Sequence, residues 1–144
     1  MKKTFLAALA LLFAAPCWAL EFRSTARAAI LYDAPSQHAT KMAVAGIGVP
    51  FELFVETDAW TKVRDANGRL AWVEKSALGN AHNVMVNVPE ARIYQQPMAS
   101  AEVRFRAARG VLLVARGSPN AGWIEVQHVD GMSGWVRQYE VWGE

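Results

Sequence analysis

Two matching sets of aromatic residues are the strongest candidates for a binding site in this sequence. Aromatic side chains with one face in water stack on sugar rings and on extended peptides. A charged residue accompanies each set, so we predict two binding grooves of different charge. The first groove comprises Tyr32, Trp60, Lys62 and Trp72. The second comprises Tyr94, Trp123, Glu125 and Trp135. The alternative is that these rings only cap the open ends of a very small fold.

Residues for catalysis are scarce by comparison. The only cysteine, Cys17, lies in the N-terminal leader described below, which argues against a thiol nucleophile or a thiolate metal site. The three histidines, His38, His82 and His128, are 44 and 46 residues apart and form no local ligand pattern. No serine lies in a Gly-x-Ser-x-Gly setting, and no phosphate-binding loop is present. We therefore predict a protein that is not an enzyme, with no catalytic residues, no metal and no cofactor.

The N-terminus has the pattern of an export signal. Lys2 and Lys3 precede an apolar run of eleven residues, 5–15, which Pro16 ends. A membrane-spanning helix needs about 20 residues, so the run predicts a signal peptide over 1–19 with cleavage after Ala19. We expect a periplasmic or secreted protein without a transmembrane span. A lipoprotein acylated at Cys17 is the alternative, although Pro16 stands where a small residue usually precedes the cysteine.

The charge balance argues against nucleic acid as a partner. The whole chain has 15 basic and 13 acidic residues. Without Lys2 and Lys3 of the leader, 13 of each remain, and the net charge is zero. A neutral chain lacks the basic surface that phosphate contacts require.

The tryptophans reveal an internal repeat. Trp60 and Trp72 are 12 residues apart, as are Trp123 and Trp135, and the two pairs are offset by 63. Nearby segments recur with them, and the repetition spans nearly all of the chain after the leader. We predict domains at 20–79 and 83–144, joined by a short linker. A unit of about 60 residues is marginally stable alone, so we expect the two to pack together.

Each repeat has the pattern of an all-β unit. Val84, Val86 and Val88 alternate with other residues, as in a strand, and Asn67-Gly68 and Asp130-Gly131 favour hairpin turns. Short strands and turns at this spacing predict a small barrel or sandwich.

The hairpin register follows from which residues must share a face. A three-residue loop with Gly131 in the left-handed conformation places Ile124, Val126, Gly134 and Val136 on one apolar face. A two-residue loop would mix apolar and polar residues on both faces. The same register in the first repeat predicts that Val63, Ala71 and Val73 face the core. The tryptophans then share the other face with Lys62 and Glu125.

These motifs resemble those of the bacterial SH3 family. The stretch from Trp60 to Val73 has the form Trp-x-x-Val, Asn-Gly, Ala-Trp-Val, and its counterpart begins at Trp123. The chain also has the Trp142-Gly143 dipeptide found at the end of tandem members. The resemblance covers about residues 22–143. It implies two SH3-like small β-barrels in tandem after a cleaved signal peptide.

The resemblance also implies binding and not catalysis. Cell-wall peptides and protein partners are the roles associated with the family. We therefore expect an envelope module that recognises peptidoglycan stem peptide or glycan. The alternative is an adaptor for an envelope protein, such as a wall hydrolase or a secretion component.

Overall fold

The computed structural model describes residues 20–144 and shows an all-β chain. Within these residues no helix is long and apolar enough to cross a membrane. The predicted signal peptide, its cleavage after Ala19 and the alternative acylation at Cys17 fall outside the described residues.

The first unit is a seven-stranded antiparallel sheet in the order β3-β2-β6-β5-β4-β1-β7. A 3₁₀ turn at Lys75–Ala77 connects β6 to β7. The strands are β1 (Phe22–Thr25), β2 (Ala29–Tyr32), β3 (Lys41–Ala45), β4 (Pro50–Glu56), β5 (Trp60–Arg64), β6 (Leu70–Glu74) and β7 (Leu78–Gly79).

The second unit repeats this topology with the order β10-β9-β13-β12-β11-β8-β14. A 3₁₀ turn at Gln138–Glu140 again precedes the last strand. The strands are β8 (Asn83–Val86), β9 (Glu90–Tyr94), β10 (Val103–Ala108), β11 (Leu112–Ala115), β12 (Trp123–Gln127), β13 (Ser133–Arg137) and β14 (Val141–Trp142). The internal repeat in sequence is therefore a repeat in structure.

The central hairpins have the predicted register. Ile124 lies opposite Val136, and Val126 lies opposite Gly134. Gly131 has a φ of 94° and donates its N–H to the His128 carbonyl at 3.0 Å. This is the left-handed glycine of a three-residue loop. The core valines and isoleucine face inward as expected, because any other register would place apolar and charged residues on the same face.

Each unit has its own hydrophobic core. The predicted core residues Val63, Val73, Ile124, Val126 and Val136 are all 0% exposed. Phe51 and Leu31 are the large buried side chains beside them in the first unit, while Ile93 and Leu113 fill the second.

The two units also contact each other directly. Asn83 donates a side-chain hydrogen bond to the Gly48 carbonyl at 3.1 Å. The rings of Phe22 and Trp142 meet edge to face at 5.2 Å. A Cβ at Gly143 would lie only 3.2 Å from the Pro50 Cβ of the first unit, so the two backbones approach closely there. These contacts hold the units together across the short linker.

Gly134 provides a test of the packing between β13 and β9. A Cβ at this position would lie 2.6 Å from both the Tyr94 carbonyl oxygen and Ile93 Cγ2. Since the backbone oxygen cannot move without disturbing β9, we expect Gly134→Ala to lower the free energy of unfolding by about 1–3 kcal/mol. Urea unfolding measures the change. Gly46→Ala is the control, because nothing lies within 4 Å of a Cβ at Gly46. Equal midpoints for the two variants would contradict this packing.

Candidate functional site

The first predicted aromatic set gathers on one face of three adjacent strands. Tyr32 on β2 pairs with Trp72 on β6, which lies opposite Lys62 on β5. The rings of Tyr32 and Trp60 meet edge to face, with centroids 5.4 Å apart at 87°. Lys62 Nζ lies 6.0 Å from the centre of the Trp72 ring. Tyr32 is buried, whereas Trp60 and Trp72 remain partly exposed.

A cleft of about 690 Å³ opens beside Trp60. Three segments that are far apart in the sequence form it, namely residues 35–38, 58–60 and 74–76. We call it the Trp60 cleft. The other three residues of the predicted first groove do not line it. Trp60 is thus the member of the aromatic set that is open to a ligand in this cleft, while the buried ring of Tyr32 packs against it.

The loop before β5 fixes the position of Trp60. Thr57 Oγ1 accepts a hydrogen bond from the Trp60 N–H at 3.0 Å, and the Thr57 N–H donates to the Trp60 carbonyl at 2.8 Å. With Tyr32 against the ring, these bonds hold the indole before any ligand arrives. A preorganised side chain loses little conformational entropy on binding.

The Trp60 cleft has an acidic wall. Glu74 accepts hydrogen bonds from Arg27 Nη2 at 2.9 Å and from Gln37 Nε2 at 2.7 Å. The bonds from Arg27 and then Gln37 lower the pKa of the Glu74 carboxyl, so it is ionised at neutral pH. Asp58 also lines the cleft. Lys75 lines the cleft too, and it forms an ion pair with Glu56 at 3.4 Å. Because Glu74 is paired with Arg27, Asp58 is the charged residue of the cleft that has no ion pair among residues 20–144.

The second aromatic set is assembled in the same way but is closed. Tyr94 and Trp123 meet edge to face at 5.5 Å, and Tyr94 pairs with Trp135, which lies opposite Glu125. The Arg137 guanidinium, however, lies 4.5 Å from the centre of the Trp123 ring, which is only 7% exposed. The Trp123 ring is therefore much less open than the predicted second groove requires, because Tyr94 and Arg137 pack against it. Trp135 remains partly exposed.

The comparisons with known proteins agree with this architecture. Residues 26–79 and 87–143 each match the family model of the bacterial SH3 domain. The chain belongs to the bacterial SH3 family. Each matched segment contains six of the seven strands of one sheet, which confirms the predicted tandem of SH3-like units. No curated protein is significantly similar to the chain in sequence.

Two solved structures are similar to this chain at low identity. One is NlpC2 from Trichomonas vaginalis, with 11% identity and a TM-score of 0.40, covering 88% of this chain and 49% of that one. The other is NlpC1 from the same organism, with 11% identity and a TM-score of 0.40, covering 96% of this chain and 51% of that one. The chain thus spans about half the length of these proteins.

A charge reversal explains why the two bacterial SH3 units differ. Glu74 lies opposite Trp60 in the first unit, and Arg137 lies opposite Trp123 in the second. A guanidinium is attracted to the negative face of an indole and covers it, whereas a carboxylate is not. The first unit therefore keeps an open indole, and the second does not.

Sequence reasoning missed the polar wall of the Trp60 cleft. Gln37, Asp58 and Glu74 form no motif, since they come from three separate segments. The sequence could have predicted only the position of Glu74, because the register of the central hairpin places it opposite Trp60. Among residues 20–144 there is also no cluster of three or more His, Cys, Asp or Glu side chains suited to holding a metal ion.

The lowered pKa of Glu74 gives this unit a specific pH dependence. A carboxyl whose pKa is lower in the folded state stabilises the fold above its unfolded pKa, and that contribution disappears as the pH falls through the folded value. We expect the wild type to melt above Glu74→Gln at neutral pH, and the two melting temperatures to converge below about pH 4. Melting curves from pH 3 to 7 measure this. A difference that stayed constant down to pH 3 would contradict it.

Proposed function

We propose that this chain is a non-catalytic binding module of the bacterial cell envelope. It recognises a peptide or sugar of the wall in the Trp60 cleft. Family membership supports the general role, because bacterial SH3 domains commonly bind cell-wall components. The observation that carries the proposal is the partly exposed, rigidly held indole of Trp60 in a cleft of about 690 Å³.

The acidic wall favours a ligand with an ammonium group. An indole face offers stacking to a sugar ring or to an extended peptide, while Asp58 attracts positive charge. Peptidoglycan stem peptides contain free amino groups, whereas the acetylated glycan strand contains none. The cleft therefore fits a stem peptide better than it fits the glycan.

Co-sedimentation with purified sacculi tests this proposal. Residues 20–144, which contain all the described strands, are mixed with intact sacculi and with sacculi whose amino groups have been acetylated. We expect the protein to sediment with intact sacculi and to bind the acetylated ones more weakly. Equal binding to both would refute stem-peptide recognition and favour the glycan. Failure to sediment with either would refute the wall as the ligand.

We also propose that the chain is exported, on the pattern of residues 1–19. Mass spectrometry of the protein expressed in a bacterial host tests this. We expect a mature chain that begins at Leu20. A lipid-modified chain beginning at Cys17, or an uncleaved chain, would contradict the proposed processing.

A further inference from the structure

The edge strand β3 of the first unit is unusually open. It lies at one end of its sheet and pairs with β2 alone among the described strands. Its outward residues Met42 and Val44 are 40% and 72% exposed, and Ile47, which follows the strand, is 69% exposed. Edge strands with apolar outer residues readily pair with strands from other chains.

The equivalent edge strand of the second unit carries charged residues that oppose the addition of another strand. This strand, β10, carries Arg104 and Arg106 where β3 has Met42 and Val44. Arg106 forms an ion pair with Glu90 at 2.7 Å, and Arg104 donates to the Ser133 carbonyl at 3.3 Å. The first unit has a charged residue only at the start of this strand, Lys41, and none at the two positions that Arg104 and Arg106 occupy in the second unit.

A cavity of about 300 Å³ adjoins β3 between the two units. The buried side chains of Leu31 and Phe51 lie at its base, and residues 85–87 and 109–110 of the second unit form one wall. The hydrogen bond from Asn83 to Gly48 fixes this wall relative to the first unit. The cavity has room for one large apolar side chain from a segment lying along β3.

The charges at this place favour an acidic partner. Arg69 on the rim forms an ion pair with Asp65, and its Nη2 lies 2.9 Å from the Asp65 Oδ2. Arg109 lines the cavity and Lys41 begins β3, and within residues 20–144 neither side chain forms an ion pair with an acidic residue. Two cations therefore remain for a ligand.

We propose that β3 binds an extended, acidic segment of another protein by strand addition. The segment pairs with the outer edge of β3, inserts an apolar side chain into the cavity between the units, and places a carboxylate at Arg109. This surface shares no lining residue with the Trp60 cleft. The inference is therefore independent of the proposed wall-binding function.

A random dodecapeptide library displayed on phage, selected on residues 20–144, tests the proposal. We expect enriched peptides with alternating apolar residues and at least one acidic residue. Binding of the synthesised peptides is then measured by fluorescence anisotropy. Val44→Lys should weaken it at least ten-fold, since it places a charge on the edge. Arg109→Ala should weaken it about five-fold, as expected for a partly exposed ion pair.

Two controls isolate the edge. Val114→Lys makes the same change at a valine on β11 that is 45% exposed, and it should leave peptide binding unchanged. Trp60→Ala should also leave it unchanged. Hydrogen exchange should show slower exchange within residues 41–45 when peptide is bound. Circular dichroism confirms that Val44→Lys is folded.

Three results would overturn the proposal. The library could yield no binders, or binders that are insensitive to Val44→Lys. The enriched peptides could depend on Trp60 instead. Sedimentation velocity could show that the wild type is a dimer which Val44→Lys converts to a monomer, and the occupant of β3 would then be a second copy of this chain.

Discussion

Replacing Trp60 with alanine is expected to weaken binding to wall fragments at least about 30-fold, the effect of losing a central aromatic contact in a binding site. Trp60 is the aromatic residue that lines the cleft, and Thr57 and Tyr32 hold it in place. The stability of the fold should change much less, because the ring is partly exposed. Titration of the wild type and the variant with soluble stem peptides, together with urea unfolding of both, measures the two effects.

Trp135→Ala is the matched control for this experiment. Trp135 is also a partly exposed tryptophan in a central hairpin, but it lies in the second unit. Its loss should leave wall binding unchanged. The groove hypothesis fails if Trp60→Ala unfolds the protein or binds wall fragments as well as the wild type does.

Replacing Trp123 with alanine is expected to lower the stability of the fold, in contrast to Trp60→Ala. The free energy of unfolding should fall by about 3–5 kcal/mol, the range for large aromatic residues removed from a core. The ring is 7% exposed and lies between the edge of Tyr94 and the guanidinium of Arg137. Its removal leaves a cavity and removes the surface on which Arg137 rests. Urea unfolding followed by circular dichroism measures the loss.

Arg137→Gln separates burial of the ring from its cation contact. It keeps Trp123 in place and removes only the guanidinium, so it should destabilise the second unit much less than Trp123→Ala does. If Trp123→Ala unfolds at nearly the wild-type urea concentration, the ring is not part of the structural core. The second unit would then have to be reconsidered as a binding site.

The repeat, the strands and the central hairpins were predictable from the sequence. The paired tryptophans gave the two units, and the alternation of apolar residues around Asp130-Gly131 gave the register of β12 and β13. This succeeded because a strand has a side-chain period of two, so a register slip by one residue would expose the whole apolar face. Local pattern and local structure are tightly coupled in such hairpins.

The sequence by itself also determined which residues share the aromatic face, but only the tertiary structure decided which rings are open. In each unit a tyrosine and a tryptophan meet edge to face, and one of the two rings is buried. The buried ring is Tyr32 in the first unit and Trp123 in the second. That choice depends on Glu74 or Arg137 across the hairpin, and on loops brought together from distant parts of the chain. The cavity beside β3 likewise exists only because the second unit packs there. Contacts between residues so far apart in the sequence leave no periodic pattern in it, so they can be identified only in the tertiary structure.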